Sequence, residues 1–442
     1  MIAPAPHLTV LGALGDLAGR QLLPGVVELA ARDELPPGFA LRGVGREPIG
    51  VEGFKAHVER ALDAHAAHLG ARARRRVVDA LDYRAADLQD LSQARAAIES
   101  NQPSVVYAAL PPSVFPATVA ATAAAGLPEG SILAIEKPFG RDLASGGALN
   151  ALIARELAGI GVARVDHFLA DELPRRVVEL RRSVAPVAAS WCGRDVESVE
   201  VIWDETLGSE GRGFYDAAGA LRDVVQNHLL AVLSLVLLDD ETLTRSPARV
   251  AALREVRTPS PRDCRERSLR ARYGAGVVAG RRMPAYVDEP GVAPERETET
   301  FARVSLESDA RRWAGARFTL RTGKALARNR GEIVVRFRPG ETDAPRELRV
   351  GLLEPFVRLT LRGASGQPEA VELGGPPVRG PYANVVRELL AGRDDWMVGG
   401  EEVEEQWRIV QPFLDSWREG APPLQTYPAG TDPTPARRKL TA

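Results

Sequence analysis

The first third of the chain alternates between short apolar runs and longer stretches in which apolar residues recur at helical spacing. After the first run, Leu22, Val26 and Leu29 fall on one face of a predicted helix. Short apolar runs separated by amphipathic helices are typical of parallel strands joined by crossover helices. The pattern therefore predicts an α/β domain. Its predicted strands are His7–Leu11, Ala40–Val44, Ser104–Leu110, Ser131–Ile135 and Val162–Val165.

The remainder of the chain follows a different pattern, which favours a second and larger domain. The run Tyr215–Leu238 predicts a long buried helix, and Tyr382–Trp417 also has helical spacing. From Thr300 onward, four segments alternate apolar and polar residues at the spacing of successive hairpins, which predicts a largely antiparallel sheet. The expected fold class is an α/β domain at residues 1–165 followed by a β+α domain at residues 166–442.

Composition is that of a soluble globular protein and argues against several classes of function. The 442 residues exceed one ordinary core, and 45% are apolar while 26% are charged. A net charge of −2 without a basic block gives no support for nucleic-acid binding. The two cysteines form no C-x-x-C pair, so neither a metal site nor a disulfide scaffold is predicted. No signal peptide and no run of ~20 apolar residues is visible, so we expect the cytoplasm and no membrane partner.

The first predicted strand ends in a glycine-containing turn, G-A-L-G-D-L-A-G, that precedes a helix. Such a turn is the start of a dinucleotide-binding Rossmann unit, because it lets the backbone approach a pyrophosphate at a helix N-terminus. Gly12 and Gly15 have only the spacing G-x-x-G, so a tight turn without a ligand remains the alternative. After the second strand, Arg46 suits a 2′-phosphate and Glu47 a 2′-hydroxyl, or both are solvated loop charges.

Lysine is rare in this chain, since only four of the 57 basic residues are lysines. Arginine is the general cation here, so an internal lysine suggests a need for a compact ammonium group, with chance as the alternative. Lys137 directly follows a predicted strand, where ligands bind in open α/β sheets. Lys324 ends a strand of the predicted antiparallel sheet.

The densest group of ionisable residues is the segment Arg164–Glu172, R-V-D-H-F-L-A-D-E. It contains His167, and beyond it only His228 occurs, on the long predicted helix. A histidine on a buried helix implies either a polar pocket or a hydrogen-bonded core residue. We predict that Asp166 and His228 form a base dyad and that the stretch from His167 to Asp171 faces the substrate.

These segments resemble the glucose-6-phosphate dehydrogenase family across nearly the whole chain. Many matches in the same order make chance a poor explanation. The resemblance implies an N-terminal Rossmann domain and a larger β+α domain whose extended sheet commonly forms dimers. The motifs include G-A-L-G-D-L-A (12–18), Y-A-A-L-P-P-S-V-F (107–115), E-K-P-F-G-R-D-L (136–143), R-V-D-H-F-L-A-D-E (164–172), E-G-R-G-F-Y-D-A-A-G-A-L-R-D-V-V-Q-N-H-L-L (210–230) and R-W-A-G-A-R-F-T-L-R-T-G-K (312–324).

Members of this family oxidise C1 of a hexopyranose phosphate to a lactone and pass hydride to NADP+ or NAD+. The resemblance implies that His228 takes the C1 hydroxyl proton and that Asp166 orients its imidazole. We expect NADP+ as cofactor with NAD+ tolerated, and a homodimer or homotetramer. The implied sugar contacts are His167, Asp171, Lys137, Glu205, Asp223 and Lys324. The implied cofactor contacts are Gly12, Gly15, Asp16, Leu17, Arg46, Leu110, Pro111 and Lys137.

The chain departs from the family where the sugar 6-phosphate is held. The family reads D-H-Y-L-G-K-E, but this chain has Phe168 in place of the tyrosine and Asp171 in place of the lysine. An anion beside a dianionic phosphate turns attraction into repulsion. Family cations are also replaced at Gly19, Gln21 and Asn329. We therefore expect a sugar without the 6-phosphate; an ordinary glucose-6-phosphate dehydrogenase and a catalytically silent regulatory paralogue are the alternatives.

Overall fold

The computed structural model describes residues 6–209, 213–240, 244–339, 344–362, 368–373 and 375–434. The first residues of the motif at 210–230 therefore lie outside the described residues. Within the described ranges there are, besides the α-helices, two π-helices, Ala18–Leu22 and Leu221–Leu229. The strands are β1 (His7–Leu11), β2 (Ala40–Gly45), β3 (Leu81–Ala85), β4 (Ser104–Ala108), β5 (Ile132–Glu136), β6 (Gly161–Val165), β7 (Val196–Asp204), β8 (Ser268–Gly274), β9 (Gly276–Val278), β10 (Arg281–Met283), β11 (Phe301–Leu306), β12 (Arg317–Gly323), β13 (Arg330–Phe337), β14 (Pro345–Gly351), β15 (Val357–Arg362), β16 (Pro368–Leu373) and β17 (Gln425–Pro428). The α-helices are α1 (Leu23–Ala31), α2 (Gly50–His65), α3 (Ala71–Asp79), α4 (Leu91–Ile98), α5 (Phe115–Ala125), α6 (Leu143–Glu156), α7 (His167–Ala170), α8 (Glu172–Ser183), α9 (Ala185–Ala189), α10 (Gly213–Ala220), α11 (Leu230–Leu237), α12 (Ser246–Arg254), α13 (Pro261–Glu266), α14 (Pro381–Leu390) and α15 (Gly400–Arg418).

The first compact unit is built on a six-stranded sheet of order β3-β2-β1-β4-β5-β6, in which every pair is parallel. This is the strand order of a Rossmann fold, and the order reverses between β1 and β4. Strands β4 and β5 are buried along their whole length, as expected for apolar runs covered on both faces. The α/β prediction is confirmed. Strand β3 was not predicted, because charged Asp82 and Arg84 interrupt its apolar pattern at the sheet edge.

The compact units do not coincide with the continuous ranges 1–165 and 166–442. The first unit comprises residues 1–172 together with 244–247 and 378–403, and the second comprises the rest. Helix α14 joins the first unit because its apolar face packs on α1 in one core cluster. The approach is so close that a Cβ on Gly25 would lie 2.8 Å from the backbone nitrogen of Ala383.

The second compact unit is built on a nine-stranded sheet of order β16-β15-β14-β13-β7-β12-β11-β8-β17. Most neighbouring pairs are antiparallel, as predicted, whereas β7 with β12 and β8 with β17 are parallel. The sheet is therefore mixed. The parallel pairing of β7 with β12 brings the residues that follow these two strands to the same end of the sheet.

A long helical run, Tyr215–Leu237, is interrupted by a kink at Gly219 (φ 72°, ψ 170°) and packs against this sheet in the core of the second unit. By length and composition it is the one helix of the described residues that could span a membrane, but 89% of its most apolar window is buried inside the protein. Its middle is the π-helix Leu221–Leu229 and not the regular α-helix that was predicted. There, the Asn227 side-chain amide donates to the carbonyl of Arg222, five residues earlier, at 3.2 Å.

Candidate active site

The turn after β1 brings the ends of three strands together in the first unit. Gly12 has φ +77°, and the N–H groups of Gly12 and Ala13 both donate to the Val44 carbonyl, at 2.9 and 3.1 Å. A Cβ on Gly12 would lie 2.5 Å from the Ala109 carbonyl oxygen and 2.8 Å from Leu110. Glycine is thus required both by the positive φ and by the lack of space for a Cβ.

The residues around this turn fit a dinucleotide. Helical backbone begins at Asp16, so Asp16 and Leu17 occupy the first turn, where backbone N–H groups suit a phosphate. The Asp16 carboxylate pairs with Arg20 at 3.0 Å and is largely exposed, so its backbone rather than its charge suits the anion. Gly15 donates to the Gly12 carbonyl at 2.9 Å, and Pro111 is exposed just beyond β4.

The segment after β2 presents two exposed side chains beside this turn, Arg46 and Glu47. Its backbone is held by the Tyr83 hydroxyl, which donates to the Glu47 carbonyl at 2.7 Å. Arg46 therefore extends from a fixed backbone at the carboxyl end of a strand adjacent to β1. A guanidinium there suits a ribose 2′-phosphate.

Strand β5 ends at the buried Glu136 and is followed directly by Lys137. The Glu136 carboxylate accepts hydrogen bonds from the hydroxyls of Tyr107 and Tyr382. Burial raises the pKa of Glu136 to about 7, and the charge of Asp166 adds to this, while the two hydroxyls and Lys137 oppose it. A carboxyl that titrates near neutral pH therefore lies directly beside a predicted sugar contact.

This carboxyl should give the protein a measurable pH dependence. In the folded state Glu136 holds its proton up to about pH 7, whereas in the unfolded chain it releases it near its ordinary value of 4.5. The folded state thus binds more protons across that window, so stability falls as the pH rises through it and is level above it. The difference is on the order of 3 kcal/mol. We expect Glu136→Gln to reduce the slope of the melting temperature against pH between pH 5 and 7.5.

The matched control for this measurement is Glu59→Gln, at an exposed glutamate of α2. We expect it to leave the wild-type slope of melting temperature against pH unchanged. A Glu136→Gln variant with the same slope as the wild type would contradict the assignment.

Asp166 and His167 directly follow strand β6. Asp166 is 1% exposed and caps α7 by accepting from the backbone N–H of Phe168 at 2.9 Å. The His167 ring stacks on Tyr382, with centroids 5.8 Å apart and planes at 22°. Phe168 is buried with its ring edge-on to His167 at 5.2 Å. Asp171 is half-buried at the C-terminal end of α7, where its N–H donates to the His167 carbonyl at 2.9 Å.

In the second unit, Glu205 and Lys324 form an ion pair, with Nζ to Oε2 at 2.7 Å. They meet because β7 and β12 run parallel and end together. Lys324 is 6% exposed, and its carbonyl accepts from the Tyr427 hydroxyl at 2.5 Å. Its ammonium group also lies 5.2 Å from the ring centroid of Tyr215.

The π-helix carries Asp223 and His228. Since π-helices bond residue i to residue i+5, residues five apart lie on the same side of the helix. In an α-helix the same two residues would point about 140° apart. The π-helix therefore turns Asp223 and the 3%-exposed His228 towards the same side. The Asn227 side chain accepts from the His228 backbone N–H at 2.6 Å and so helps to fix this turn.

The structure thus brings the predicted residues together in two groups, one in each unit. The first group lies at the carboxyl ends of the parallel strands, and the second surrounds the ends of β7 and β12 and the π-helix. The pairing of Asp166 with His228 joins a residue of each unit, and it stays a prediction. Sequence reasoning missed Tyr382 and Tyr107, because nothing in their local patterns links them to Glu136. The first group is Gly12, Gly15, Asp16, Leu17, Arg46, Leu110, Pro111, Lys137, Asp166, His167 and Asp171; the second is Glu205, Asp223, His228 and Lys324.

Two family models match most of the chain. Residues 9–174 match the NAD binding domain of glucose-6-phosphate dehydrogenase, and residues 179–351 match its C-terminal domain. A glucose-6-phosphate 1-dehydrogenase 2 of Mycobacterium tuberculosis is 32% identical, over 97% of this chain and 91% of that protein. The glucose-6-phosphate 1-dehydrogenase of Gluconobacter oxydans is 30% identical, over 96% of this chain and 93% of its own length.

Solved structures of glucose-6-phosphate dehydrogenases have the same fold as this chain. The glucose-6-phosphate 1-dehydrogenase of Mycobacterium avium superposes with a TM-score of 0.82 at 28% identity, over 97% of this chain and 95% of the other. A glucose-6-phosphate dehydrogenase in complex with glucose-6-phosphate has a TM-score of 0.85 at 24% identity, over 99% and 97% of the two chains. The 3-ketoreductase KijD10 of Actinomadura kijaniata shares the fold alone, with a TM-score of 0.56 at 15% identity, over 96% and 100%.

Proposed function

Because the chain belongs to the glucose-6-phosphate dehydrogenase family, we propose that this oxidoreductase oxidises the C1 hydroxyl of a hexopyranose to a lactone and reduces NADP+. The observation that carries the proposal is that a buried histidine, His228, shares one side of a π-helix with Asp223 in the second unit. A buried, oriented imidazole suits a general base, because one of its ring nitrogens can accept a proton.

In the proposed reaction, His228 takes the proton of the C1 hydroxyl as the hydride leaves C1. Asp166 orients the imidazole and stabilises the imidazolium that forms. The nicotinamide ring supplies the hydride acceptor when the dinucleotide is bound. Lys137, Lys324 and Asp223 hold hydroxyls of the sugar. The fixed positions of Asp166 as a helix cap and of Lys324 in its ion pair support this assignment, because preorganised groups hold the sugar at low entropic cost.

We further propose that the sugar lacks a 6-phosphate. Asp171 replaces the cation that the resemblance leads us to expect, and the buried Phe168 offers no hydroxyl to a phosphate. The Asp171 carboxylate would accept from a free sugar hydroxyl or pair with an amino group. The names of the relatives support the alternative, an ordinary glucose-6-phosphate dehydrogenase, equally well.

Steady-state rates with glucose, glucosamine and glucose 6-phosphate test the two candidates. We expect kcat/KM to be higher for at least one unphosphorylated sugar. A clear preference for the phosphate ester would establish the ordinary enzyme. No turnover of any of the three would favour the silent regulatory paralogue.

The cofactor can be tested separately at Arg46. We expect Arg46→Ala to raise KM for NADP+ by about 10-fold or more, because charge-assisted hydrogen bonds to the 2′-phosphate are lost. KM for NAD+, which has no such group, should not change. The matched control is Arg75→Ala, at an exposed arginine of α3. Equal weakening of both dinucleotides by Arg46→Ala would contradict the 2′-phosphate contact.

A further inference from the structure

The hydroxyl of Tyr215 is one of several buried polar groups of the second unit without a hydrogen-bond partner among the described residues. The side chain is 1% exposed, yet its hydroxyl has no hydrogen-bond partner among the residues that the structure describes. The neighbouring buried tyrosines behave differently: the Tyr286 hydroxyl donates to Asp216 at 2.8 Å, and the Tyr427 hydroxyl donates to the Lys324 carbonyl. A buried polar group without a partner is costly, so its presence calls for an explanation.

The surroundings of Tyr215 point to the sugar site. Its ring is packed edge-on against Tyr286, with centroids 6.4 Å apart, and the Lys324 ammonium lies 5.2 Å from its centroid. Burial raises the pKa of the Tyr215 hydroxyl, and the charge of Asp223 is the largest electrostatic contribution to that rise. Lys324 and Asp223 are the proposed sugar contacts of this unit. The hydroxyl thus lies among groups that the proposed function already assigns to the substrate.

We propose that the Tyr215 hydroxyl binds a hydroxyl of the substrate sugar beside Lys324 and Asp223. This inference rests on the proposed function and deepens it. A phenol both donates and accepts hydrogen bonds, as a sugar hydroxyl does, so each group can serve as the hydrogen-bond partner of the other. In the absence of sugar the phenol keeps its donor and acceptor for the substrate, and no protein hydrogen bond must break when the sugar enters.

The test is Tyr215→Phe, which keeps the ring, its edge contact and its interaction with the Lys324 ammonium and removes only the hydroxyl. We expect KM for the best of the three sugars to rise about 5- to 10-fold, while KM for NADP+ is unchanged. The melting temperature of the free protein should be unchanged or higher, because no protein hydrogen bond is lost. A purely structural hydroxyl would not give this combination.

The matched control is Tyr286→Phe, which removes a hydroxyl that does donate to a carboxylate. We expect it to lower the melting temperature and to leave KM for the sugar unchanged. If Tyr215→Phe gives this same result, its hydroxyl serves the fold through an ordered water and the inference is overturned. If the wild type oxidises none of the three sugars, the proposed function is wrong, and the inference is overturned because it rests on that function.

Discussion

Replacing His228 with asparagine is expected to lower kcat about a thousandfold while leaving the protein folded and able to bind NADP+. Asparagine has similar polarity and can keep hydrogen bonds, but it cannot accept a proton from the C1 hydroxyl. General bases of this kind contribute about 10²- to 10⁴-fold to rates. The measurements are kcat with the preferred sugar, the melting temperature, and NADP+ binding by titration.

The control for this variant is His65→Asn, at an exposed histidine at the end of α2. We expect it to have wild-type kinetics. Asp166→Asn should lower kcat as well, because the imidazole loses the carboxylate proposed to orient it. Unchanged turnover in His228→Asn would show that another group is the base or that the protein is not a catalyst.

Replacing Asp171 with lysine is expected to shift the substrate preference of the protein towards glucose 6-phosphate. At about 4 Å and an effective dielectric of about 20, one unit-charge contact is worth about 4 kcal/mol, and the substitution reverses its sign. Solvent screening reduces this, so we expect kcat/KM for glucose 6-phosphate to rise about 100-fold. Activity on the unphosphorylated sugar should fall, because the carboxylate that accepts from it is lost.

The matched control is Asp171→Asn, which removes the negative charge without adding a positive one. We expect a smaller gain with glucose 6-phosphate, intermediate between the wild type and Asp171→Lys. The salt dependence of kcat/KM gives an independent check, since added salt should weaken the gain. If the wild type already prefers the phosphate ester and Asp171→Lys lowers its rate, the substrate proposal is wrong.

The parallel sheet could be predicted because its central strands are buried on both faces and read as continuous apolar runs. Where a strand lies at the edge and carries charges, as Leu81–Ala85 does, that signal disappears. The glycine turn was predictable because a strand, a glycine and a helix follow one another there, and glycine readily adopts the positive φ found at Gly12. The base dyad of Asp166 and His228 was predicted from the scarcity of histidine, and the other sugar contacts came mainly from the family resemblance. All of them stay predictions, as does the expected homodimer or homotetramer.

Other features were hidden because they depend on contacts between residues that are distant in sequence. Tyr382 lies in a helix that the sequence pattern assigned to the second domain, yet it packs in the first unit, where it meets Glu136 and His167. The unpaired hydroxyl of Tyr215 is defined only by the absence of a partner among the described residues. The expected single helix over Tyr382–Trp417 is two helices, because Gly392, with φ +65°, ends the first one.

The π-helix at Leu221–Leu229 makes helix length itself a constraint on how this protein can diverge. A reversion of this segment to α-helical bonding at unchanged length would turn Asp223 and His228 about 140° apart. If one residue between them were deleted at the same time, they would be four residues apart, and residues four apart lie on one side of an α-helix. The π-helix can therefore be lost without separating these two side chains only when one residue of the chain is lost with it.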